Sequence, residues 1–161
     1  MIKAKPAVEQ LQPYVAPLEG RRPMLRLDFN ENTVGPSPKV VEAIRNLPPN
    51  AYSIYPEYAG LKDAYASAIG ISAQHVEACN GVDAAIQAIF DGYGQQGATL
   101  LTTAPTFGYY EPCALQHGML QDEVLYLPDL SFPLEGIRAR LTAKPRLFIV
   151  CNPNNPTGTL I

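Results

Sequence analysis

From Val76 onward the chain alternates short apolar runs with stretches of helical length, and no other feature limits the possible folds as tightly. The apolar runs are 75–79, 98–103, 124–127 and 146–151. Between them lie a helical stretch over 81–93, a second that Gly118 stops, and a third over 133–141. The first is apolar around much of its circumference, through Ala84, Ala85, Ile86, Ala88, Ile89 and Phe90. The third keeps Leu134, Ile137 and Leu141 on one face. Strand and helix in strict alternation predict an α/β layer with a largely parallel sheet.

The first 27 residues carry Pro6, Pro13, Pro17 and Pro23 without periodicity and read as an arm rather than a domain. Leu25-Arg26-Leu27-Asp28-Phe29 alternates apolar with charged and predicts a short half-buried strand. Ser37 and Pro38 form an N-cap and N1 pair, opening a helix that runs to Leu47 and ends at Pro48. A second helix is expected over 60–69, with Gly70 as its left-handed stop. The aromatic loop between them holds Tyr52, Tyr55 and Tyr58.

Composition removes several classes. The formal net charge is -3, there is no Trp, and no basic block stands out, so nucleic acid has no footprint to bind. No apolar run approaches the roughly 20 residues of a membrane span. The first residues lack an apolar signal-peptide core. Cys79, Cys113 and Cys151 are far apart and odd in number, which argues against a disulfide framework. They are expected to be small buried thiols in a reducing, cytoplasmic compartment. His75 and His117 are expected at the surface or as caps.

Three strand-to-helix junctions have ligand chemistry. Asn80-Gly81-Val82-Asp83 opens a helix whose free first-turn N–H groups favour an anion such as a phosphate. Phe107, just past a strand end, offers a flat platform for a ring. The run Leu147 to Cys151 breaks into Asn152-Pro153-Asn154-Asn155-Pro156-Thr157-Gly158, with Asn155 the amide best fixed by the neighbouring prolines. Each has a bland reading, as a plain N-cap, a core phenylalanine and an Asn/Pro turn. Ligands of open α/β sheets bind at the carboxyl ends of strands, where all three junctions are expected to sit. A planar, phosphorylated, ring-bearing cofactor suits them, and so does a nucleotide, although neither GxGxxG nor GxxxxGK[ST] is present.

The motifs Asn30-Glu31-Asn32 with Gly35-Pro36-Ser37-Pro38, Tyr55-Pro56, Asn80-Gly81-Val82-Asp83, Ala104-Pro105-Thr106-Phe107 and Asn152 to Gly158 occur in this order. In that order the chain resembles the amino-terminal part of a fold-type I, class I/II aminotransferase dependent on pyridoxal 5'-phosphate. The likeness is greatest to the histidinol-phosphate aminotransferases. It implies a three-layer, aspartate aminotransferase-like α/β fold with an incomplete large domain. Residues 1–48 would be an amino-terminal arm and part of the small domain, and 49–161 the first part of the cofactor-binding large domain.

The resemblance also implies roles. Asn155 would hydrogen-bond the phenolic oxygen of the cofactor. Phe107 would stack on its pyridine ring, where histidinol-phosphate enzymes usually carry Tyr. Backbone N–H groups of Val82 and Asp83 would hold its phosphate. Tyr55 would reach the phosphate of the neighbouring subunit in a homodimer. Tyr14, Asn30 and Asn32 would line the substrate entrance. The expected reaction is amino transfer between histidinol phosphate, or a related amino acid, and 2-oxoglutarate. The family often has Ser/Ala-Asp-Glu where this chain has Val82-Asp83-Ala84, so backbone donors must serve without a hydroxyl. The family's cofactor-anchoring lysine lies beyond Ile161, so no catalytic residue is assigned and the 161 residues are expected to be inactive alone. Lys144, before Pro145, reads as a solvated surface residue. A related decarboxylase or lyase, or a non-catalytic binding module, are the alternatives.

Overall fold

The structure is a computed structural model and describes residues 2–11 and 18–161. The described residues form two compact units, one of residues 2–11 with Cys79–Ile161 and one of residues 18–78. The contacts divide next to Cys79.

In the larger unit, helix α1 (Pro6–Glu9) packs against α5 (Tyr110–Gln116). The rest is a three-stranded parallel sheet with its helices. Strands β1 (Thr99–Ala104), β2 (Leu120–Leu125) and β3 (Leu147–Phe148) lie in the order β2-β1-β3. Helix α4 (Gly81–Tyr93) precedes β1, α5 joins β1 to β2, and α6 (Leu134–Leu141) joins β2 to β3.

The layers follow from strand alternation. Leu100 points to the face where α4 and α5 pack, in a buried cluster of Ile86, Phe90, Leu100, Tyr110, Cys113, Ala114 and Met119. Leu101 and Thr103 point to the other face, in register with Asp122 and Val124. Helix α6 covers that side. Arg140 donates to Asp122 at 2.7 Å, and a Cβ on Gly136 would come 2.8 Å from the Val124 side chain. Glycine is required there by the close approach of helix to strand. Because β1 is covered on both faces, it reads as a continuous buried run, and Leu100, Leu101 and Thr103 are fully buried.

The smaller unit contains α2 (Pro38–Arg45), a 3-10 turn at Pro49–Tyr52, α3 (Ala59–Ile69) and a 3-10 turn at Ala73–His75. Helix α3 stops at Gly70 with φ +75, the expected left-handed end. Ser37 stands at the N-cap of α2 and Pro38 opens it, although no side-chain capping bond forms. Lys62 of α3 donates to Glu77 at 2.7 Å, fixing the helix to the segment that leads out of the unit.

Several expectations are corrected. No strand forms at 25–29 or 75–79. Leu25 and Leu27 are 83% and 78% exposed, so the apolar half of the alternation has nothing to pack on. The charged half is drawn instead into a local cluster. Arg21 binds Asp28 and Glu31, Arg26 binds Glu31 at 2.8 Å, and the Arg21 guanidinium lies 4.2 Å from the Phe29 ring centre. Arg26 and Arg21 hold the Glu31 carboxyl below its ordinary range, and Arg21 does the same for Asp28. Strand β2 starts four residues earlier than expected, at Leu120, and β3 is paired only over Leu147–Phe148. Cys113 is buried and Cys151 half-buried, but Cys79 is exposed because the strand expected to bury it is absent. His117 is a cap, with Nδ1 2.8 Å from the Cys113 carbonyl at the end of α5 and Nε2 3.0 Å from Asp91. Among the described residues no helix is long and apolar enough to cross a membrane.

Candidate active site

The carboxyl ends of β1 and β3 are neighbours, because the two strands are adjacent and parallel. The chain leaving β1 passes through Pro105, Thr106 and Phe107, and the chain leaving β3 passes through Cys151 to Gly158. One buried side chain joins them. Asn154 is 3% exposed; its Nδ2 donates to the Pro105 carbonyl at 3.0 Å and to Thr157 Oγ1 at 2.9 Å, while its Oδ1 accepts from Thr106 Oγ1 at 2.9 Å. Asn155, beside it, is half-buried, and among the described residues its amide has no hydrogen-bond partner. Neighbouring amides thus differ in kind: Asn154 is saturated within the protein, and Asn155 is free for a ligand.

Phe107 is half-buried on the edge of the core cluster. The ring packs edge-on to Tyr110 and tilted against Tyr109. Tyr110 itself is 8% exposed, and burial, then the neighbouring Cys151, pushes its phenol up to about 12. Burial pushes the Tyr109 phenol up as well, with smaller contributions from Cys113 and from the carboxylates of Asp83 and Asp91.

Helix α4 brings its amino end to this same side of the sheet. Its last residue, Tyr93, accepts from Arg146 Nε at 3.0 Å, and Arg146 sits just before β3, at the amino end of the sheet. The helix has 13 residues, about 20 Å at the usual rise, which matches a six-residue strand. Its first turn therefore reaches the carboxyl edge. Gly81 enters the helix at φ +78, and a Cβ added there would meet no atom within 4 Å, so glycine is needed for its backbone angle and not for room. Asn80 makes no side-chain capping bond, and among the described residues the N–H groups of Val82 and Asp83 have no acceptor. Val82 is 64% exposed, which leaves the approach to those donors open. The Asp83 carboxylate stands in the same turn, where the helix dipole favours it.

Two unpaired N–H groups at a helix start, a half-buried aromatic ring and an unpartnered amide are suited to a ligand with an anionic end and a flat polar ring. The donor set therefore fits pyridoxal 5'-phosphate.

The other expected site residues stand in the smaller unit, apart from Tyr14, which lies outside the described residues. Tyr55 is 96% exposed. Asn30 is exposed with φ +54. Asn32 spends its amide on its own turn, accepting from Val34 N at 3.0 Å and donating to the Gly35 carbonyl at 3.1 Å. Sequence reasoning missed Asn154. The available signal was that proline follows β1 directly and recurs in the loop after β3, so these loops need a side chain to satisfy carbonyl groups that have no backbone donor.

The same fold recurs in solved structures. Histidinol-phosphate aminotransferase from Sinorhizobium meliloti, in complex with pyridoxal-5'-phosphate, superposes with a TM-score of 0.85 at 26% identity, covering 99% of this chain and 44% of that one. Thermus thermophilus aspartate aminotransferase superposes with a TM-score of 0.82 at 22% identity, a likeness of fold, covering 99% of this chain and 47% of that one. The architecture is that of the fold-type I pyridoxal-phosphate-dependent aminotransferases.

Residues 22–161 match the family described as aminotransferase class I and II, and the chain belongs to that family. Histidinol-phosphate aminotransferase from Moorella thermoacetica is 32% identical over 171 residues, covering 99% of this chain and 43% of that protein. The Halalkalibacterium halodurans protein of the same name is 34% identical over 170 residues, with 99% and 46% covered. The chain thus spans less than half the length of these curated relatives.

Proposed function

We propose that this chain is the cofactor-binding amino-terminal part of a pyridoxal-phosphate-dependent aminotransferase. In this reading residues 1–48 form the arm and part of the small domain, and 49–161 begin the large domain. The observation that supports it most directly is the free Asn155 amide beside the saturated Asn154, at the sheet edge that α4 and Phe107 also reach.

The backbone N–H groups of Val82 and Asp83 hold the phosphate, aided by the helix dipole. Phe107 lies against the ring, and Asn155 donates its amide hydrogen to the phenolic oxygen. That donation favours the ionised form of the oxygen and fixes the ring's orientation. When bound, the cofactor supplies an electron sink for bond breaking at the α-carbon of an amino acid. These residues would orient it, and its covalent attachment would require a lysine amine.

The amino donor is histidinol phosphate or a related amino acid, and the acceptor a 2-oxo acid such as 2-oxoglutarate, in amino-acid biosynthesis. The support is the name shared by the relatives quoted above. Tyr55, almost fully exposed, is available to reach the phosphate of a second copy in a homodimer. Roles toward the substrate for Asn30, Asn32 and Tyr14 belong to this reading, and the compartment in it is the cytoplasm.

The test is equilibrium binding of pyridoxal 5'-phosphate to the protein and to its Asn155→Ala variant. The variant is expected to bind about tenfold more weakly with an unchanged fold by circular dichroism. Equal affinity in both proteins would sink the assignment of Asn155.

A further inference from the structure

Resting on that reading, we infer that Asn154 is a positioning residue: it clamps the loops after β1 and β3 so that Phe107 and Asn155 face one ligand. The two loops are 48 residues apart in sequence, and Thr106 and Asn154 meet side chain to side chain at 2.9 Å. The Asn154 amide has two donors and an acceptor, and all three functions are used at once, on Pro105, Thr157 and Thr106. Its backbone is held as well, with Asn154 N donating to the Thr159 carbonyl at 2.8 Å and Gly158 N donating to the Asn154 carbonyl at 2.7 Å.

The clamp continues into a third loop. Thr157 Oγ1 lies 2.8 Å from Thr159 Oγ1, and Thr159 Oγ1 donates to the Leu130 carbonyl at 2.8 Å. Leu130 belongs to the connection between β2 and α6. One buried amide therefore anchors a relay of side chains that links the loops leaving all three strands at the ligand edge. Nothing in it touches the first turn of α4, whose N–H donors are set by Gly81 and the helix itself. The clamp governs the ring and leaves the anion cradle alone.

That separation gives the test. Asn154→Asp keeps the size and the acceptor toward Thr106 but removes both N–H donors and sets a carboxylate against the Pro105 carbonyl. Thr106→Val removes one bond of the clamp with little change of shape and serves where Asn154→Asp does not fold. Dissociation constants are measured by equilibrium dialysis for pyridoxal 5'-phosphate and, separately, for inorganic phosphate. Asn154→Asp is expected to weaken pyridoxal 5'-phosphate about tenfold or more and to leave inorganic phosphate within about twofold; Thr106→Val moves the same way by a smaller factor. Unchanged pyridoxal 5'-phosphate binding in the variants overturns the clamp, and so does a parallel loss of both ligands, which marks a general structural role. A wild-type protein that binds inorganic phosphate but not pyridoxal 5'-phosphate overturns the proposed function itself, and the clamp with it.

Discussion

The Phe107 and Tyr110 rings meet edge to face, with centroids 5.7 Å apart and planes at 81°. With Phe107 in the loop three residues before Tyr110, the first residue of α5, they turn one ring into the core and leave the other half-buried at the sheet edge. This contact ties the proposed ring platform to the hydrophobic cluster, so platform and core respond together to substitution.

Phe107→Leu is expected to cost about 1 kcal/mol of stability, the usual worth of such an aromatic pair. It should also weaken pyridoxal 5'-phosphate binding about tenfold, while Phe107→Tyr, which keeps the ring, stays within about twofold. Urea unfolding and ligand titration on both variants check this. A Leu variant that binds as well as the wild type removes Phe107 from the site.

Tyr110 makes stability fall at high pH. A free phenol ionises near pH 10 and the folded one at about 12. Between these values the folded chain holds a proton that the unfolded chain has released. The contribution is therefore full below the unfolded value and lost as pH rises through this window. Thermal melts from about pH 8 to about pH 12, an interval set by those values, should show a steeper alkaline fall in the wild type than in Tyr110→Phe. Parallel curves would show that burial of this phenol is not coupled to folding.

Gly81→Ala and Gly60→Ala should move stability in opposite directions. Both sites have space for a methyl group, but Gly81 stands at φ +78 whereas Gly60 lies inside α3 with no positive φ. Alanine at Gly81 is expected to cost about 1 kcal/mol, and alanine at Gly60 to stabilise by about 0.5–1 kcal/mol. Urea midpoints of the two variants decide it. Two shifts of the same sign would contradict the backbone account of the turn that opens α4.

The elements most legible in the sequence were those whose limits are set locally. Gly70 ends α3 by its own left-handed geometry, and Pro38 opens α2 by its fixed φ. Helix α4 was visible because its apolar coverage is nearly continuous. Strands were harder, since pairing is decided elsewhere in the chain. Leu25 to Phe29 has the alternation of a strand, yet Arg21 and Arg26 take its acidic partners into an ion cluster and no neighbouring strand adds hydrogen bonds. The site divided in the same way. Asn155 and Phe107 could be singled out from motif and spacing. The role of Asn154 could not, because its three partners come from both sides of a sheet contact that exists only once β1 and β3 are paired.

The β2-β1-β3 order sets a sequence of events in folding. Strand β1 meets β2 after a single short crossover, but its other edge waits for β3, and contacts such as Thr102 with Ile149 span 47 residues. Closing the longer loop costs more chain entropy and belongs to the slower, non-local part of assembly. On a ribosome the first strand pair and its helices can settle while the Asn152–Gly158 segment is still being made. Of the three loops joined through Asn154, the one after β3 is therefore the last to be made, and the β1–β2 pair can acquire its packing before that connection exists.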